Sequence, residues 1–310
     1  MKRSCLLTIA TGLILLLSLL GSCRSSSEKP TTKSSKFETG VSLGLVEDGR
    51  LEEVSGLVAS RSQPGMVWVH NDSGNPAAIY LLDSQARVQA SYVLGEAQRD
   101  WEDIAIGPGP VEGINYLYVG NIGDNFTLHF RNYIYRFPEP TAVDNIDTIR
   151  QIDTIAFVYP DEQWDAETLL LDPLTKNLYL LSKEMSHTRI YCLPYPQRTD
   201  TVMIAEHVLT IPFKGENLLD RLVAGDISKD GRELLLKTYQ QVFYRNRPDS
   251  SLSFAEWIIS PADTLPYTVE PQGEAVGFAP DGSGYYTLSE SQIGSDLYLH
   301  FYPRQSGSEQ

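Results

Sequence analysis

The chain has 310 residues, of which 40 are acidic and 25 basic, giving a formal charge of −15. So acidic a balance excludes the basic footprint that nucleic acid requires and offers no electrostatic grip on anionic lipid. With 42% apolar residues, it can bury a core of its own without disulfides.

At the amino terminus Lys2 and Arg3 precede an apolar run at 6–20, which ends in Leu20-Gly21-Ser22-Cys23. A basic start, an apolar stretch and small residues before a cleavage point make a secretory signal, too short for a comfortable membrane span. The quartet resembles a bacterial lipobox. Residues 1–22 then form a lipoprotein signal peptide, and Cys23 is the lipidated first residue that attaches the chain to a membrane. The other reading is an ordinary signal peptide followed by an incidental cysteine. The lipobox reading places the chain in the bacterial cell envelope, lipid-anchored at the outer membrane, the cell surface or the periplasmic side. Residues 23–36 lack apolar periodicity and read as a flexible tether. Loss of Lys2 and Arg3 with the leader takes the formal charge to −17, two below the −15 of the whole chain. Cys5 leaves with the signal, so Cys192 is the remaining thiol. Its setting, Ile190-Tyr191-Cys192-Leu193, is that of a small buried apolar residue.

From Val54 onward one short pattern recurs five times. Its first strands read Val54-Ser55-Gly56-Leu57, Trp101-Glu102-Asp103-Ile104, Ala166-Glu167-Thr168-Leu169, Ala224-Gly225-Asp226-Ile227 and Gly273-Glu274-Ala275-Val276. A turn and a second apolar strand follow each. A third strand is then marked by Ile79-Tyr80, Ile134-Tyr135, Ile190-Tyr191, Phe243-Tyr244 or Leu297-Tyr298. Looser fourth strands are expected at 87–94, 153–158, 205–211 and 254–259. With Ser55, Glu102, Glu167, Gly225 and Glu274 taken as equivalent, the copies lie 47, 65, 58 and 49 residues apart. Repeats of this kind, built from four short strands, are propeller blades. The fifth copy is one strand short, and residues 41–46 supply it, closing the ring. The expectation is an all-β protein: one β-propeller domain of five four-stranded blades over residues 37–303, with a polar tail at 304–310.

Inner strands of a propeller line its channel, and alternation sends successive side chains to opposite faces. One face holds Leu57, Ile104, Leu169, Ile227 and Val276, apolar in every copy. Asp103 and Asp226 stand one step earlier, with Glu102, Glu167 and Glu274 beside them. The ends of the second strands add Asp72, Asp124, Lys183, Tyr239 and Glu290. Radial repetition brings these distant residues toward one axis. Carboxylates gathered there repel one another unless something positive offsets them. Ca²⁺ suits a set of oxygen donors, and no His/Cys set suits zinc. The expected cation ligands are Asp72, Glu102, Asp103, Asp124, Glu167, Asp226, Glu274 and Glu290. The alternative is a metal-free channel balanced by Lys183, Lys237 and Arg99. Segments 71–75 and 120–125 are either ligand loops or tight turns favoured by Gly, Asn and Asp. His70 reads as structural, and no nucleophile elbow, P-loop or zinc-protease motif occurs.

These residues carry a resemblance. Asn71-Asp72-Ser73-Gly74, Asp100-Trp101-Glu102-Asp103, Gly123-Asp124-Asn125, Asp165-Ala166-Glu167, Lys183, Asp226, Lys237-Thr238-Tyr239, Gln272-Gly273-Glu274-Ala275 and Ser289-Glu290 follow blade order. Together they resemble secreted bacterial propellers of the phytase-like and "esterase-like activity of phytase" kind. The resemblance implies a propeller with an acidic, calcium-binding channel mouth. Two functions are compatible with it. One is an envelope-anchored module that binds a protein, glycan or small molecule. The other is a metal-dependent hydrolase of phosphoesters or carboxylesters, with Glu102 or Glu274 orienting water and Lys183 as electrophilic helper. Few basic residues accompany the mouth segments, which favours the binding module.

Overall fold

In this computed structural model the described residues are 36–96, 98–141, 146–184, 186–212, 220–291 and 296–306. The signal segment, Cys23 and nearly all of the tether lie outside them.

The chain forms a five-bladed β-propeller. It enters with β1 (Val41–Leu45) and builds blade one from β2 (Val54–Ala59), β3 (Val67–Asn71), β4 (Ala78–Leu82) and β5 (Val88–Leu94). Blade two begins with β6 (Trp101–Pro108), β7 (Asn115–Asn121) and β8 (Asn132–Pro138). The chain then steps back as β9 (Ile146–Ile149), which pairs in parallel with β5, before β10 (Asp153–Val158) completes blade two. Blade three repeats the device. Between its β11 (Ala166–Leu171), β12 (Leu178–Ser182) and β13 (His187–Leu193) and its outer β15 (Glu206–Pro212), the short β14 (Met203–Ile204) pairs in parallel with β10. Blade four has β16 (Leu222–Ile227), β17 (Glu233–Thr238), β18 (Val242–Asn246), the helix α1 (Phe254–Ile258) and β19 (Asp263–Thr264). Blade five has β20 (Ala275–Phe278), β21 (Gly284–Leu288) and β22 (Tyr298–Pro303), with β1 antiparallel to β22 as its outer strand. The expected closure by the amino-terminal strand is what the structure has.

Both faces of each blade are covered, so inner strands such as β2 and β11 are buried along their whole length. The core is therefore divided. Among the described residues five apolar clusters form, one between each pair of neighbouring blades. Cys192 belongs to the cluster between blades three and four, and burial raises its thiol to about 12.

Two expectations are corrected in blade four. Residues 254–258 are helical rather than a fourth strand, and β19 takes that place. The cause is legible: Ser253 and Glu256 form a reciprocal capping box, and Phe254, Trp257 and Ile258 are buried at helical spacing. Phe254 stacks on Tyr179 of blade three at 3.6 Å between ring centroids. The second correction is one of register. The ladder between the first two strands skips one residue in four blades, at Ser55, Glu102, Glu167 and Val223. Val223, not Gly225, is thus the counterpart of the two glutamates. Asp226 pairs with Leu235 as Ala105 pairs with Tyr118, two residues deeper in the channel than Asp103. A slip of two leaves every side chain on its expected face, which is why the apolar pattern did not expose it.

Candidate metal centre

Inner strands start at one end of the channel, and the loops after the second strands return there. The skipped residues are β-bulges, which re-aim a side chain out of the ladder. At Glu102 and Glu167 that side chain is a carboxylate. Ligand atoms of Asp72, Asp100 and Glu102 lie within 4.8 Å of one another, as do those of Glu102, Asp165 and Glu167. Glu102 belongs to both groups. It is 2% exposed, and no described residue donates a hydrogen bond to its carboxylate. Burial pushes it well above the usual carboxylate range, and Glu167 and Asp72 push it further. Burial also raises Asp72 to about 7 and Glu167 to about 8, although Lys183 pairs with Glu167 and opposes the second shift.

The pocket owes its shape to Gly123. A Cβ there would collide with Glu102 Oε1 and Asp100 Oδ2. The residue is therefore glycine for close approach and not for a left-handed turn. Gly74, at φ +82°, does serve the turn in segment 71–75. On the far side Tyr239 donates to Glu274, and Gln272 Nε2 donates to Glu290 Oε2 at 3.0 Å. Burial and the neighbouring Glu274 hold Glu290 at about 9. The Glu274 charge also raises Asp72 and Glu167.

The other expected ligands lie elsewhere. Asp103 Oδ2 accepts from Leu169 N of blade three at 2.9 Å, and its Oδ1 from Ile104 N at 2.8 Å. Asp226 Oδ2 accepts from Phe278 N of blade five at 2.8 Å. Both tie inner strands together below the mouth. Asp124 folds its loop, accepting from Leu128 N, His129 N and His129 Nδ1; these outweigh burial and lower its pKa. Among the expected counter-charges, Lys183 touches a mouth carboxylate. Arg99 instead holds the Arg131 and Gly123 carbonyls and Asn132 Oδ1. Lys237 is wholly buried and donates to the Gly273 and Thr238 carbonyls, with burial lowering it to about 8 against the pull of Glu270 and Glu274. His70 is structural: it is wholly buried, lies edge-on to Trp101 at 5.5 Å, and is lowered by burial to about 4.

Asp100 and Asp165 are additions to the expected set. Each stands two residues before a bulged glutamate, in Asp100-Trp101-Glu102 and Asp165-Ala166-Glu167. That repeated acidic pair was the available signal. The donor set is entirely oxygen, its shared member has no hydrogen-bond donor among the described residues, and a glycine makes room for it. These features fit a hard, oxygen-preferring cation.

No protein-family model matches the chain, and no curated protein matches it in sequence. Among solved structures it is similar to a luciferin-regenerating enzyme, at 10% identity and TM-score 0.45 over 85% of this chain and 95% of that one. It is also similar to the Dos1 propeller, at 13% identity and TM-score 0.37 over 80% and 68%. A third is Kuenenia stuttgartiensis hydrazine synthase, at 10% identity and TM-score 0.41 over 79% and 70%. Likeness this distant says nothing of what this chain binds or does.

Proposed function

We propose that this protein is a lipid-anchored propeller of the bacterial envelope, phytase-like in style. Its channel mouth holds Ca²⁺, and its mouth-side loops bind a protein, glycan or small molecule. The observation that carries the reading is Glu102: a buried carboxylate with four acidic neighbours and, among the described residues, no hydrogen-bond donor, although Lys183 attracts it. A buried charge cluster of this kind is costly unless a cation joins it. Asp72, Asp100, Glu102, Asp165 and Glu167 are the residues that would hold the ion, and Lys183 would share the Glu167 charge. Bound Ca²⁺ supplies charge compensation and fixes the loops that carry these ligands. A binding role is favoured over ester hydrolysis because cations at the mouth are few: Lys183 pairs with Glu167, and Arg221 and Arg99 attract Asp165 and Asp100. Anionic substrates call for more. The test is calorimetric titration of the chelated protein with calcium and then magnesium. Saturable binding of calcium that magnesium does not reproduce supports the reading; indifference to both rejects it.

A further inference from the structure

The opposite end of the channel has a different chemistry. Turns following the inner strands of blades one, four and five enclose a cleft of ≈ 490 Å³, lined among others by Arg61, Pro64, Lys229, Pro280, Tyr286 and Phe301. Arg61 is partly buried. Its backbone N–H donates to Glu139 Oε1 at 3.0 Å, where Ser60 Oγ, Ser62 N and Trp68 Nε1 also converge. Its guanidinium, by contrast, makes no hydrogen bond or ion pair with any described residue. It extends inward beside Gly107, where a Cβ would come within 3.5 Å of Nη1. Asp226 and Glu139 attract it at longer range, while burial works against its charge.

We propose that this lower cleft is a binding site for a small oxyanion, a carboxylate or phosphate carried on a flat apolar body. A guanidinium has five donors in a rigid fork that matches such a group in a two-bond pair. With no acceptor among the described residues, these donors face solvent, and an oxyanion that replaces the water gains charge-assisted bonds. Lys229 adds a second positive charge at the rim. Tyr286 and Phe301, 4.8 Å apart between centroids, make the apolar wall against which the body lies. The volume suits a metabolite-sized ligand. Asp281 also lines the cleft and is held ionised by Ser283, which favours a singly charged head over a dianion.

The test is calorimetry of the full-length protein at low ionic strength with three probes: benzoate, phenyl phosphate and inorganic phosphate. The expected result is saturable binding of benzoate, weaker binding of phenyl phosphate, and weakest binding of inorganic phosphate. Arg61→Gln should weaken benzoate by about ten- to a hundredfold, the worth of a charged hydrogen-bonded pair. Should that variant fail to fold, Lys229→Gln on the exposed rim must still weaken benzoate a few-fold. No binding of any probe, or equal affinities in wild type and the folded variants, would overturn the proposal. Preference for phenyl phosphate over benzoate would keep the site and assign it to phosphate.

Discussion

The mouth of the channel and the layer just below it hold the same kind of residue in opposite circumstances. Asp103 and Asp226 are carboxylates turned toward backbone N–H groups of neighbouring blades, and they tie inner strands together. Glu102, one residue from Asp103, is turned by a bulge toward other carboxylates. Burial raises the pKa of both, yet the deeper group accepts backbone hydrogen bonds while the upper one, among the described residues, accepts none. A carboxylate near the axis is therefore not by itself a sign of a ligand site. What its neighbours offer decides between a staple and a candidate ligand.

Replacing each carboxylate in turn separates the two roles. Asp103→Ala should cost most, about 2–4 kcal/mol, because buried N–H groups of different blades lose their acceptor. Calcium binding at the mouth should survive in that variant, and denaturant unfolding with and without calcium checks both points. Glu102→Gln should do the reverse. In the chelated protein it should stabilise by roughly 1–3 kcal/mol, more at alkaline than at acid pH, because it removes a group that must take up a proton on folding. A destabilised Glu102→Gln protein would mean the carboxylate already has what it needs.

The sign of the pH dependence sharpens the contrast. Asp72 at about 7, Glu167 at about 8 and Glu290 at about 9 all lie above their ordinary values. The folded, cation-free state thus holds protons that the unfolded chain has released. These three groups make stability fall as pH rises from about 4 to about 9, while His70, lowered to about 4, opposes them below about 6.5. Calcium favours the ionised groups, so its stabilising effect should grow across the same window. A chelated protein whose melting temperature is flat from acid to alkaline pH would contradict the assigned shifts. The smallest expected effect is that of Gly123→Ala. Its Cβ displaces Glu102 and Asp100, which should weaken calcium severalfold while costing about 1 kcal/mol of stability; isothermal titration reads the first and thermal melting the second.

Much of the architecture was legible because apolar alternation and third strands marked by Ile-Tyr, Phe-Tyr or Leu-Tyr recur in every blade. Closure by β1 followed from the strand missing after β22. Blade four was harder. Its inner strand has Val223 where others have glutamate, so alignment by acidic residues slid to Gly225 and carried Asp226 two residues too high. The Ser253–Glu256 capping box announced a helix that the blade pattern concealed. At the site, Glu102 and Glu167 were within reach of sequence, since radial repetition points them at one axis. Asp124 was not separable from them, because its partners are N–H groups of its own loop. Nor was the role of Gly123, which depends on side chains from two other segments.

Glu102, shared by both acidic groups, is the residue through which a cation at the mouth would act on the whole ring. The most direct measurement is thermal unfolding of the wild type and Glu102→Gln, each after chelation and again with calcium or magnesium restored. A specific ion in the native state raises the melting temperature by mass action. The expected result is a rise with calcium but not magnesium in the wild type, and its loss in Glu102→Gln. No calcium response in the wild type, or an equal response in both proteins, would contradict it.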